Sequence, residues 1–249
     1  MLRTKIIVAN WKMNLGVKAS AKLAVDLKKS LKTKSEVVLC PEFVSIPAVS
    51  AVLKKTKIKL GAQNVAGFNS GAYTGEVSAN SLKELGVKYV IIGHSERRQF
   101  QGETDEIVNQ KLKLVLQIKS LIPIICVGEK AGEDGPTILK QQLSATFKGV
   151  KLESKQKVLI AYEPVFAIGT GKALNPESAF GAREFISVLM VKLYGYKTWL
   201  NNFVTLYGGS VNKDNASVYS RVAKFDGLLV GGASLNAKGF KDLIKAFTN

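Results

Sequence analysis

Val158-Leu159-Ile160-Ala161-Tyr162-Glu163-Pro164-Val165-Phe166-Ala167-Ile168-Gly169-Thr170-Gly171-Lys172 joins an apolar run to a carboxylate and then to a proline-started loop ending in Gly-x-Gly. Residues 158–161 have the length and composition of a strand buried on both faces. A carboxylate at the end of a rigid strand, beside a loop that can hinge at glycines, is a candidate base for proton transfer that must be shielded from water. Taken alone, a strand-end glutamate is more commonly a surface carboxylate before an ordinary loop. The rest of the chain decides between the two.

Seven further runs of the same kind are Ile6-Ile7-Val8, Val37-Val38-Leu39, Ile58-Lys59-Leu60, Tyr89-Val90-Ile91-Ile92, residues 122–127, residues 203–206 and Leu228-Leu229-Val230. Most are continuous rather than alternating, as in strands of a parallel sheet covered on both sides. Amphipathic segments separate them. In residues 21–31, Leu23, Leu27 and Leu31 recur at four-residue steps; in residues 105–116, Ile107, Val108, Leu112 and Val115 form one stripe. Asn175-Pro176-Glu177 supplies a cap, a proline for the first helical position and an acid for the first turn. Pro136-Thr137 opens a helix to about Phe147, and residues 240–247 form the last. Eight strand-helix units in 249 residues predict an α/β fold, a (β/α)8 barrel occupying residues 1–249 as a single domain. A doubly wound open sheet is the rival. It usually shows Gly-x-Gly-x-x-Gly after its first strand, whereas this first strand runs into Ala9-Asn10-Trp11-Lys12.

Composition narrows the class. With 46% hydrophobic and 22% charged residues, the chain can bury a full core. No apolar stretch approaches the roughly 18 residues of a membrane span. The first residues enter a strand-like run, so no signal peptide and a cytoplasmic location are expected. Cys40 and Cys126 sit in or at the end of apolar runs without metal-ligand spacing, and read as buried, reduced thiols; no metal site is expected. The net charge of +17 attracts anions. Yet its basic residues are nearly all lysines at helix-surface spacing, with no run of five like charges. That is a lysine-rich solvated surface, and a nucleic-acid partner is not expected.

In a (β/α)8 barrel the chemistry lies at the C-terminal ends of the strands. Asn10 and Lys12 follow the first run, Gly93-His94-Ser95-Glu96 the fourth, Glu163 the sixth, Gly208-Gly209-Ser210 the seventh and Gly231-Gly232 the eighth. Glycines there suit tight turns. Equally, they let backbone N–H groups approach an anion, and loops after strands seven and eight often bind phosphate. His94 is the only histidine and precedes a short helix starting at Ser95-Glu96. A helix N-terminus disfavours imidazolium, so a neutral, hydrogen-bonding ring is expected.

Seven motifs, in order and spacing, resemble the triosephosphate isomerase family: Asn10-Trp11-Lys12-Met13-Asn14, Gly71-Ala72-Tyr73-Thr74-Gly75-Glu76, Gly93-His94-Ser95-Glu96-Arg97-Arg98, Cys126-Val127-Gly128-Glu129, Tyr162-Glu163-Pro164, Tyr207-Gly208-Gly209-Ser210 and Val230-Gly231-Gly232-Ala233-Ser234. The resemblance implies a TIM barrel that interconverts dihydroxyacetone phosphate and D-glyceraldehyde 3-phosphate without metal or organic cofactor. It implies Glu163 as base, neutral His94 as electrophile and proton shuttle, and Lys12 stabilising an enediolate that Asn10 helps to place. Gly169, Ser210, Gly231 and Gly232 would hold the phosphate, and Ser95, Glu96 and Arg97 would support the catalytic groups. Residues 164–172 would be a lid that protects the intermediate. Thr74 would reach a partner subunit's site in an obligate homodimer.

The chain departs from the family pattern in three places. Phe166 stands where tryptophan is usual at the lid hinge, losing an indole donor. Ala9 replaces a common glycine, and residues 130–136 are shorter than usual. Two rival functions remain at this point: another barrel enzyme acting on a sugar phosphate, which need not combine Asn10, Lys12, His94 and Glu163, and a polyanion-binding role marked by steep salt dependence.

Overall fold

The computed structural model describes residues 4–167 and 173–248. In chain order the elements are β1 (Ile6–Asn10), α1 (Val17–Ser30), β2 (Glu36–Cys40), α2 (Ile46–Leu53), β3 (Lys59–Ala62), α3 (Ala79–Glu84), β4 (Val87–Ile92), α4 (Ser95–Phe100) and α5 (Asp105–Gln117). They continue with β5 (Ile122–Val127), α6 (Gly135–Thr146), β6 (Val158–Tyr162), α7 (Pro176–Tyr194), α8 (Tyr196–Asn202), β7 (Phe203–Tyr207), α9 (Ala216–Arg221), β8 (Gly227–Val230) and α10 (Ala237–Thr248). All eight strands are parallel, each pairs with the next, and β8 returns to β1, closing a barrel. The expected (β/α)8 architecture is the one found, not an open sheet. Among the described residues, no helix is long and apolar enough to cross a membrane.

The two-residue alternation of strands divides the core. Val8, Val38, Cys40, Ile91, Ile124, Cys126, Leu159, Ala161, Leu206 and Leu229 pack together, contributed by strands alone, and fill the barrel. Their neighbours Ile7, Val37, Leu39, Val90, Ile125, Ile160, Phe203 and Leu228 face outward into a second cluster with helix residues such as Leu27, Val108, Leu143 and Phe240. Burial on both faces explains why the strands read as continuous apolar runs. Continuing the inward parity past the strand ends carries Asn10, Glu163, Gly208 and Gly231 to the mouth of the barrel.

The capping signals operate as expected. Asn175 Oδ1 accepts from the N–H groups of Glu177 (2.8 Å) and Ser178 (3.2 Å) at the start of α7. Asp134 caps α6 by accepting from Thr137 N at 3.1 Å, and the Thr137 hydroxyl followed by this backbone N–H holds its carboxyl below the usual range. Helix α1 starts at Val17, before the leucine stripe begins; its N-cap Gly16 makes no side-chain bond, so the sequence carries no cap signal for that start.

Candidate active site

The strand ends bring Asn10, Lys12, His94, Glu163, Ser210, Gly231 and Gly232 around one cavity of about 180 Å³ at the C-terminal mouth, with Gly208 and Gly209 in its wall. Of the residues expected there, Gly169 and most of the expected lid lie outside the described residues. Before that gap, Val165–Ala167 forms a 3-10 turn with Phe166 half-exposed at 42%. Thr74 is exposed on a separate loop and lines neither this cavity nor its neighbours.

Strand β4 ends at Ile92 and is followed by Gly93, whose φ of +72° suits glycine. The turn sets His94 as the N-cap of α4, where its Nδ1 accepts from Glu96 N at 3.2 Å. A nitrogen that accepts carries no proton, so this bond leaves Nε2 as the nitrogen able to carry the ring proton. That nitrogen lies 3.1 Å from Glu163 Oε1. Glu163 Oε2 accepts from Ser95 N at 3.0 Å. The Glu163 side chain is only 2% exposed, and among the described residues it pairs with no lysine or arginine. Beneath it, burial pushes the Cys126 thiol well up, reinforced by the Glu163 charge, so the thiol stays protonated.

Lys12 is built differently. Its φ of +49° is uncommon for a non-glycine residue. Asn10 Oδ1 accepts from its N–H at 3.1 Å, and Gln63 Nε2 donates to its carbonyl at 2.9 Å and to that of Cys40 at 2.9 Å. The ammonium meets Glu96 Oε1 at 2.7 Å. Its Cε lies 3.5 Å from where a side chain on Gly231 would begin, an ordinary van der Waals distance, so the lysine arm passes directly beside Gly231. Lys12 therefore runs from the His94 side of the cavity to the glycine loops. There Gly231 precedes a 3-10 turn, Gly232–Ser234, held by Ser234 Oγ donating to Gly231 O at 2.7 Å. Among the described residues, the N–H groups of Gly209 and Ser210 have no hydrogen-bond acceptor.

The C-terminal end of α4 is anchored by a buried ionic cluster. Glu103 Oε1 accepts from Arg97 Nε at 2.6 Å and from Lys111 Nζ, which also donates to Asn64 Oδ1 at 2.8 Å. Burial opposes the charge on Glu103, but the Lys111 and Arg97 hydrogen bonds outweigh it and hold the carboxyl below its ordinary range.

Sequence reasoning missed Gln63. It directly follows the Leu60-Gly61-Ala62 strand end, so the strand-end rule that found Asn10 applies to it as well. Two larger cavities flank the site. One, of about 350 Å³, lies on the far side of Glu163 between Arg98 and Gln142. The other, of about 510 Å³, is lined by Lys12, Glu96 and Arg97 and by the exposed apolar side chains Met13 (88%), Val44 (70%) and Phe100 (69%).

A shielded carboxylate opposite an imidazole nitrogen, with an ammonium and two glycine turns in the same mouth, defines a (β/α)8-barrel enzyme. The family model for triosephosphate isomerase matches residues 5–247. A triosephosphate isomerase of Clostridium botulinum (strain Okra / Type B1) is 44% identical over 248 residues, 98% of this chain and 99% of that protein. One of Caldanaerobacter subterraneus subsp. tengcongensis is 46% identical over 248 residues, again 98% and 99%. One of Dictyoglomus turgidum is 41% identical over 251 residues, 98% of this chain and all of that protein. The chain belongs to the triosephosphate isomerase family.

Proposed function

We infer that the protein interconverts dihydroxyacetone phosphate and D-glyceraldehyde 3-phosphate, as a step of glycolysis and gluconeogenesis. The observation that carries the mechanism is the Glu163 carboxylate, buried and opposite His94 Nε2 at 3.1 Å, with no lysine or arginine among the described residues against it. Glu163 takes the proton from the carbon beside the carbonyl. His94 donates the Nε2 hydrogen bond to the carbonyl oxygen and moves protons between the two substrate oxygens as an enediolate forms. Lys12 meets the developing negative charge. Asn10 holds the Lys12 backbone, and the backbone at Ser210, Gly231 and Gly232, with Gly169, receives the phosphate. The small cavity favours a short phosphorylated chain over a nucleotide. Side chains and backbone supply every group this route needs, and a place in glycolysis goes with a cytoplasmic location as part of the same proposal.

The direct test follows glyceraldehyde 3-phosphate conversion by purified protein, coupled to a ketone-phosphate reductase. Turnover is expected. Its absence, with turnover of a different sugar phosphate, would favour another barrel enzyme.

A homodimer belongs to the same reading. Met13, Val44 and Phe100 form an exposed apolar wall around a cavity that opens beside Lys12, and such a wall favours a protein partner. The Thr74 loop, stiffened by Phe68 stacked on Tyr73 at 3.8 Å, suits insertion there from a second copy. Sedimentation should give a dimer, and a fully active monomer would overturn this assignment.

A further inference from the structure

We propose that Gln142, on α6, is a positioning residue for the base: its side-chain amide fixes Gly128, and Gly128 fixes the backbone of Glu163. The proposal rests on Glu163 being the base. Beyond the end of β5, Glu163 N donates to Val127 O at 2.8 Å and Val165 N donates to Glu129 O at 2.9 Å. The segment carrying the base therefore lies along residues 127–129, with Gly128 at the centre of the contact. No side chain fits at Gly128. A Cβ there would overlap the Glu163 carbonyl and stand 3.2 Å from its Cα. The backbone of the base thus rests directly on Gly128, and any displacement of that residue is passed on to it.

Nothing in the sheet holds Gly128, which lies one residue past the end of β5. Gln142 does so at both ends of the residue. Its Oε1 accepts from Gly128 N at 2.8 Å and its Nε2 donates to Gly128 O at 3.0 Å. Each backbone group demands one end of the amide, so the orientation of the side chain is set by its partners. Its helix is seated by Leu139 and Leu143, both buried in the core. Gln142 also lines the cavity on the far side of Glu163, opposite the substrate side. The base is thereby held from β6 in sequence and from α6 through Gly128, and tight placement is what proton transfer in a bound complex requires.

Two substitutions test this. Gln142→Met keeps the bulk and removes both hydrogen bonds. It should lower kcat about tenfold with KM within about twofold and no change in the pH dependence. Gln142→Glu supplies a probe that a merely structural role would not move. An ionised carboxylate accepts from Gly128 N but repels Gly128 O. A protonated carboxyl reproduces the amide, accepting at one oxygen and donating at the other. The ratio of Gln142→Glu kcat to unaltered kcat should therefore rise as pH falls through the new carboxyl's titration, while the ratio for Gln142→Met stays flat. Assays are run well below each variant's melting temperature, so loss of folded protein does not enter. Full kcat in Gln142→Met, or a pH-flat ratio for Gln142→Glu, overturns the proposal. Failure of the underlying reading shows separately, as full turnover in Glu163→Gln.

Discussion

Glu103 and Glu163 are equally hidden, with side chains 3% and 2% exposed, yet they are built for opposite purposes. Glu103 is clamped between Arg97 and Lys111. Glu163 accepts from the Ser95 backbone N–H and has His94 Nε2 at 3.1 Å, neither of them a cation of the Lys or Arg kind. A buried carboxylate needs hydrogen-bond donors or counter-charges to offset lost hydration. Cations satisfy that need permanently and make the group part of the scaffold. Neutral donors satisfy it while leaving the carboxylate able to exchange a proton with a ligand. Burial alone does not mark a catalytic carboxylate; the charge of its partners does.

The comparison breaks or sharpens most through Glu163. Glu163→Gln should cut kcat by about 10³- to 10⁴-fold, the span of a positioned general base, with the unfolding midpoint almost unchanged. A lowered midpoint with retained turnover would make Glu163 a second Glu103. The converse variant, Glu103→Gln, leaves two cations without their counter-charge. It should destabilise the fold by about 3–5 kcal/mol, read by urea unfolding, while kcat per folded molecule changes far less than in Glu163→Gln. Lys12→Ala removes the cation that serves the cavity rather than the scaffold. It should lower kcat/KM by about 10²- to 10³-fold with little change in melting temperature. Unchanged kinetics would reduce Lys12 to the Glu96 ion pair.

The smallest effect is on pH. The Glu103 carboxyl is held below its ordinary value in the folded protein, so its contribution is fully present above the unfolded-state pKa and is lost as pH falls through the folded one. Acid titration of stability should be steeper in the unaltered protein than in Glu103→Gln, and equal slopes would contradict the clamp.

Much of the site was legible before any coordinates. Asn10, His94, Glu163, Ser210, Gly231 and Gly232 stand at strand ends, where a barrel concentrates its chemistry, and all of them gather at one cavity. The supports were harder to read. Lys111 is buried and Lys113 is exposed, but in a lysine-rich amphipathic helix nothing local separates them. Gln142 reads as one more polar residue on a solvated helix face, and its role exists only because Gly128 comes within hydrogen-bond distance. Phe166, the departure at the expected lid hinge, sits at the edge of the undescribed stretch 168–172.

By itself, the sequence determined the number and order of strand-helix units, because apolar periodicity and capping residues act over a few neighbours. It also determined which polar side chains end each strand. Only the tertiary structure decided which alternate set of strand residues faces the barrel axis. Where both faces of a strand are apolar, alternation states that neighbours diverge but not which one points inward. Closure of β8 on β1 settles that choice. It directs Asn10 and Glu163 inward together and brings Ser95 and Glu163, 68 residues apart in the chain, within one hydrogen bond.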